Sequence, residues 1–194
     1  GGGQVLSAAA TAPERVAWVV ALDSLGPPAE AFDDGDLVDA ATGALDRIAR
    51  AASQPRRVWA TRAEMAERRG MVNHRLPGDV LDHLDAHGTV EVEGGFVWKT
   101  DPWLSHGLPD GFSVDMVLAG FGDVTVPVLA LMASEADTWS DLPTAEIERR
   151  IALFPDARWR PIAGAGHYVH IEQPDAVLAE IESFLDELGV ARAR

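Results

Sequence analysis

Hydrophobic positions along the chain gather into a few unbroken runs separated by long mixed stretches. Val16 to Leu22 (VAWVVAL) and Val126 to Met132 (VPVLALM) are apolar throughout, the pattern of parallel strands covered on both faces. Ala157 to Ile162 (ARWRPI) alternates more weakly and predicts a third strand. Between the second and third runs, DLPTAEIERRIALFPD carries a helix signal. Asp141 or Thr144 suits the cap, Pro143 the first turn, and Ile147, Ile151 and Leu153 or Phe154 the inner face. A last helix is expected from about Pro174 to Leu188, with Val177, Leu178, Ile181, Phe184, Leu185 and Leu188 at helical spacing and Gly189 as its stop. These elements predict an α/β fold around a parallel sheet.

The stretch from Gly26 to Asp123 breaks that pattern. GPPAEAFDDGD is a turn-rich, acidic entry, after which Ala40 to Ala51 and Thr61 to Arg69 read as helices, the second opened by a Thr61–Glu64 capping box. A third helix is expected from Pro77 to Ala86, stopped by Gly88. Val90 to Val92 and Phe96 to Trp98 flank Gly94-Gly95 as a short hairpin, and Ser113 to Gly120 reads as another short helix. The expected division is a core of residues 1–25 and 124–194 and a mainly helical cap or lid insertion, 26–123. Its aromatics, Trp59, Phe96, Trp98, Trp103 and Phe112, either line a pocket for an apolar substrate or form the insertion's own core.

Charge narrows the partners. Sixteen basic against 31 acidic residues give a net −15, which repels phosphate backbones and leaves no basic patch for nucleic acid or anionic lipid. No apolar run approaches the roughly 20 residues that a membrane span needs. The chain has no cysteine, which removes thiolate nucleophiles and disulfides and fits a reducing cytoplasm. No cofactor is expected. The acidic run Asp33, Asp34, Asp36 lacks calcium-loop spacing and reads as solvated. His74, His83, His87 and His106 fall in the insertion and read as surface or packing residues.

The chemistry-bearing segment is Ala163 to Pro174, AGAGHYVHIEQP, which sets His167 in a Gly-rich turn between a strand and a helix. An imidazole there can shuttle a proton if a carboxylate orients it and a nucleophile lies in reach. Asp137 is the candidate carboxylate, with Asp23 as its rival and Glu135 and Asp141 near enough to compete. His170 forms an H-x-x-H pair with His167, but a metal would need a third ligand that the spacing does not supply, so His170 is expected to help hold the loop. No plausible nucleophile follows. Gly1, Gly2 and Gly3 look like the tail of a G-x-S-x-G nucleophile elbow, which would put the serine just upstream of residue 1; the alternative is a three-glycine tag. Ser7, Ser24 and Ser53 lack the framing glycines.

Four segments in order resemble the C-terminal portion of an α/β-hydrolase fold protein: GGGQVLSAAATAPERV the end of the elbow and its helix, VVALDSLGPP the next strand and its exit, VPVLALMASEAD the acid-bearing strand, and GAGHYVHIEQPDAV the histidine loop and last helix. The family usually has glycine where Ser134 stands. The resemblance implies an incomplete α/β-hydrolase fold and a Ser-Asp-His triad, with His167 as general base, Asp137 as the acid and the N–H of Gly1 as an oxyanion donor. It implies hydrolysis of an ester, lactone, amide or C–C bond of a small, apolar molecule. Two alternatives stand beside it: an aspartate-nucleophile epoxide hydrolase or haloalkane dehalogenase, and a non-catalytic fragment or binding pseudo-hydrolase. The chain is expected to be inactive alone and to self-associate through an exposed sheet edge.

Overall fold

The computed structural model describes residues 1–27, 42–43, 45–46, 48–50, 53, 55–101, 114–139 and 142–190. In chain order its regular elements are helix α1 (Gly2–Thr11), strand β1 (Val19–Leu22), helices α2 (Arg62–Val72) and α3 (Gly78–Gly88), strands β2 (Thr89–Val92) and β3 (Gly95–Trp98), helix α4 (Val114–Ala119), strand β4 (Val128–Ala133), helix α5 (Thr144–Ile151), strand β5 (Ala157–Ile162), and helices α6 (Val169–Glu172) and α7 (Pro174–Glu187). The chain divides into two units, Gly1–Ala31 with Val114–Arg194, and Phe32–Ser113.

In the first unit the strands form a parallel sheet in the order β1-β4-β5. The uninterrupted apolar run of β4 is explained by its place in the middle. Val128, Ala130 and Met132 pack on one side with Leu6 and Ala9 of α1 and Ile147 of α5, while Leu129 and Leu131 face the other side with Val177 and Phe184 of α7. Successive residues of a strand point to opposite faces, so two covered faces require two apolar sets. Leu118, Phe121 and Val124 join the first of these clusters. Residues 114–123 therefore belong to the sheet-bearing unit rather than to the insertion, as does the turn after β1.

Helix α7 shows how local sequence sets an end. Gly189 adopts φ +68, its N–H donates to Asp186 O and that of Val190 to Leu185 O, which is the paired bonding of a Schellman stop. Leu178 departs from the expected inner face and is 55% exposed, because Val177, Ile181 and Phe184 already fill the stripe against the sheet. In α5 the inner stripe is Ile147, Ile151 and Phe154, with Leu153 turned outward. Pro143 precedes the first turn and no side chain caps it; Asp141 lies outside the described residues.

In the second unit, Thr61 caps α2 by accepting from the N–H of Glu64, whose carboxylate reaches back to the N–H of Ala60. Strands β2 and β3 pair antiparallel with Val92 opposite Gly95, so Glu93 and Gly94 make the turn rather than Gly94 and Gly95. Of the helix expected over Ala40 to Ala51, residues 42–43, 45–46 and 48–50 are helical and the remainder lies outside the described residues. Trp103, Phe112, His106, Asp33, Asp34 and Asp36 also lie outside them. Among the described residues no helix is long and apolar enough to cross a membrane.

Candidate active site

Three loops at the carboxyl ends of β1, β4 and β5 meet around His167. The first begins at Asp23, which has φ +46, the only positive φ of a non-glycine residue among those described. Aspartate tolerates this left-handed region better than most side chains, and departures of this kind concentrate at functional sites. Two bonds to the neighbouring strand hold it there: the Asp23 N–H donates to Leu131 O at 2.7 Å, and its Oδ1 accepts from the Ala133 N–H at 2.8 Å. Its other oxygen, Oδ2, lies 2.8 Å from Nδ1 of His167. The Asp23 carboxylate is 1% exposed and the imidazole 33%.

That pairing fixes the chemistry available to the ring. With Nδ1–H donated to a buried carboxylate, Nε2 is left as the acceptor, and no described residue bonds it. A cation formed by protonation at Nε2 would be stabilised by the adjacent carboxylate. Asp23, the rival candidate of the sequence, meets the imidazole, while Asp137 bonds the main-chain N–H of the same residue. Strand end alone does not tell which oxygen reaches which nitrogen; the left-handed turn at Asp23 is what swings its carboxylate across to the histidine loop.

Asp137 has a different position. Its Oδ2 accepts from the backbone N–H of His167 at 2.8 Å and its Oδ1 from the N–H of Trp139 at 2.7 Å. It is one of several straps on the loop. Ser134 Oγ accepts from Gly164 N–H at 2.8 Å, Ala165 O accepts from the N–H groups of both Ser134 and Glu135, and Glu172 Oε2 accepts from Gly166 N–H at 3.0 Å. Ser134, where the resemblance leads one to expect glycine, thus ties the β4 loop to the β5 loop. Glu135 contributes its backbone. His170 is exposed on α6. Tyr168 meets the imidazole edge-on, with ring centroids 5.3 Å apart.

Sequence reasoning missed Arg150. Its side chain is fully buried and donates to Leu25 O at 2.8 Å and Pro27 O at 2.6 Å, securing the chain just beyond Asp23, while its Nε meets Glu146 at 2.6 Å. The bonds from Arg149, with that from Arg150, hold the Glu146 carboxyl well below its ordinary 4.5, at about 2. The signal was available in the spacing, since Arg150 lies within the Ile147, Ile151, Phe154 stripe.

Gly1 precedes α1 and Gly2 begins it, against the loop that follows β1. A Cβ on Gly2 would lie 2.2 Å from Cβ of Ser24, the residue after Asp23, so only glycine permits the helix to begin against the β1 loop. Among the described residues no group of three or more His, Asp or Glu side chains could hold a metal ion.

No family model matches the sequence. A stretch of 37 residues, 19% of this chain and 15% of the relative, is 57% identical to Esterase YbfF of Escherichia coli (strain K12). Among solved structures, the thioesterase domain from the curacin biosynthetic pathway superposes with a TM-score of 0.76 at 18% identity, over 94% of this chain and 63% of that one. The M. tuberculosis esterase Rv0045c does so with a TM-score of 0.66 at 21% identity, over 96% of this chain and 60% of that one. The chain has the α/β-hydrolase fold. It spans less than two thirds of the length of each of these structures. His167 lies on the loop between the last strand and the last two helices.

Proposed function

We propose that this chain supplies the acid and base of a serine-type ester or thioester hydrolase, with Asp23 orienting His167 and Nε2 of His167 taking the proton of a nucleophilic hydroxyl. The carrying observation is the 2.8 Å bond between the buried Asp23 carboxylate and Nδ1 of a partly exposed imidazole. The names of the similar proteins, an esterase, a thioesterase domain and a further esterase, support that reaction class. In this reading Asp137 is a positioning residue that holds the main chain of His167.

The nucleophile belongs to a residue preceding Gly1 in the complete protein. The tight approach of Gly2 to Ser24 supports this, because the last glycine of G-x-S-x-G is the position at which a helix packs too closely for a side chain. Gly1 would then be the residue after the serine, whose N–H serves as one oxyanion donor. The serine attacks the carbonyl as His167 accepts its proton; His167 returns that proton to the leaving group, and water then releases the acyl group by the same base.

The test is turnover of a p-nitrophenyl ester by the protein carrying its own upstream segment. His167→Ala should lower kcat by about 10³-fold or more. Equal rates in wild type and variant would remove His167 from the reaction.

A further inference from the structure

Outside the histidine site, the second unit holds a cavity of about 500 Å³ lined by residues from 56 to 100. Its floor is apolar and buried: Trp59, Met65 and Val97. Its rim carries Arg56, Arg57, Arg68 and Arg69, and no carboxylate lines it among the described residues. Four guanidinium groups on one cavity are unexpected in a chain of net charge −15.

The arginines are positioned but not satisfied. Arg57 lies 3.7 Å over the Trp59 ring and Arg69 4.6 Å over Trp98, so each is held against an aromatic face by cation–π attraction. Their carboxylate neighbours stay outside hydrogen-bond reach, Glu64 at 3.9 Å from Arg57 and Asp85 at 3.7 Å from Arg69. Among the described residues, Arg56 reaches only the Trp98 carbonyl, at 3.5 Å, and Arg68 only the Met71 sulfur, at 3.8 Å. Two of the four guanidiniums therefore have no carboxylate partner among the described residues. A guanidinium offers five N–H donors in a fork that matches the oxygens of a carboxylate or phosphate.

We propose that this cavity is a binding site for an organic anion, a carboxylate or phosphate group borne on an apolar body. The anion is held by Arg56 and Arg68, and the body rests on Trp59, Met65 and Val97. The volume suits a small-molecule ligand, and the lining combines an apolar floor with a few convergent polar groups. Every residue involved belongs to the second unit.

Isothermal titration of the protein carrying its own upstream segment tests this with four probes: phenyl phosphate, phenylacetate, benzyl alcohol and inorganic phosphate. At least one of the two aromatic anions should bind saturably at one site, and the tighter of them identifies the anionic group. Benzyl alcohol and inorganic phosphate should each bind about tenfold more weakly or worse, since each lacks one half of the recognition. The double variant Arg56→Gln/Arg68→Gln should weaken the tighter anion by about tenfold, and Arg15→Gln, in the first unit, should not. Absence of saturable binding by both aromatic anions would overturn the proposal, as would equal affinity for either control or undiminished binding by the double variant. Should that variant unfold by circular dichroism, the four-probe comparison on the wild-type chain decides alone.

Discussion

Two buried aspartates, one in each unit, sit in opposite circumstances. Asp23 is buried at the end of β1, and both of its oxygens are engaged, one by a backbone N–H and the other by an imidazole. Asp85 is 2% exposed on α3, and neither of its oxygens has a hydrogen-bond partner. Burial pushes the Asp85 carboxyl above its ordinary value, Arg69 pulls it back and Asp82 adds to the rise. Both carboxylates are equally hidden from water, so depth alone does not distinguish them. What separates them is whether the charge has been given fixed donors. Only the first arrangement can orient a base; the second is a cost that the fold carries.

The largest effect that would sharpen this contrast is on turnover. In the protein bearing its upstream segment, Asp23→Asn should lower kcat about 10³- to 10⁴-fold with little change in KM, because an amide no longer enforces the Nδ1–H tautomer or stabilises the cation. Asp137→Asn should cost far less, about tenfold, since the loop stays strapped through Ser134 and Glu172. If the two variants ranked the other way, the acid role would pass to Asp137. Steady-state kinetics on both settles the order.

Asp85 should respond in stability rather than rate. Asp85→Leu is expected to raise unfolding free energy by about 1 kcal/mol at neutral pH, read by urea denaturation. A folded-state pKa raised above 3.8 means that the stability tied to its protonated form is fully present below 3.8 and lost as pH rises through the raised value. The gain from Asp85→Leu should therefore shrink as pH falls toward 4. Glu146 has the opposite sign and the smallest effect. Its carboxyl, depressed to about 2, contributes stability above 4.5 that fades as pH falls from 4.5 toward 2, and solvent screening trims the contribution to about 1 kcal/mol or less. Glu146→Gln should flatten urea midpoints measured between pH 5 and pH 3.

The same contrast explains what could be read from the amino acids. β4 was legible because a strand covered on both faces has no polar residue to lose its place, and α7 because Gly189 permits its stop. His167 was legible from the glycines around it and its place between strand and helix. The residue that meets its ring stood only as the rival candidate, since Asp23 reaches His167, 144 positions away, through a backbone conformation held by Leu131 and Ala133 of the neighbouring strand. Asp137 lay close in space as expected, yet its oxygens serve main-chain N–H groups of the two loops. The arginines of the second unit are ordinary surface residues in a linear reading; their convergence depends on pairing β3 with Trp59 alongside α2.

The contact between Gly2 and Ser24 makes these two positions a single inherited unit. Alanine at position 2 collides with the β-carbon at position 24, which alanine there would also possess, so relief requires glycine at 24. A lineage could place a side chain at the head of α1 only by first emptying the residue that follows Asp23, and would loosen the turn at Asp23 in doing so.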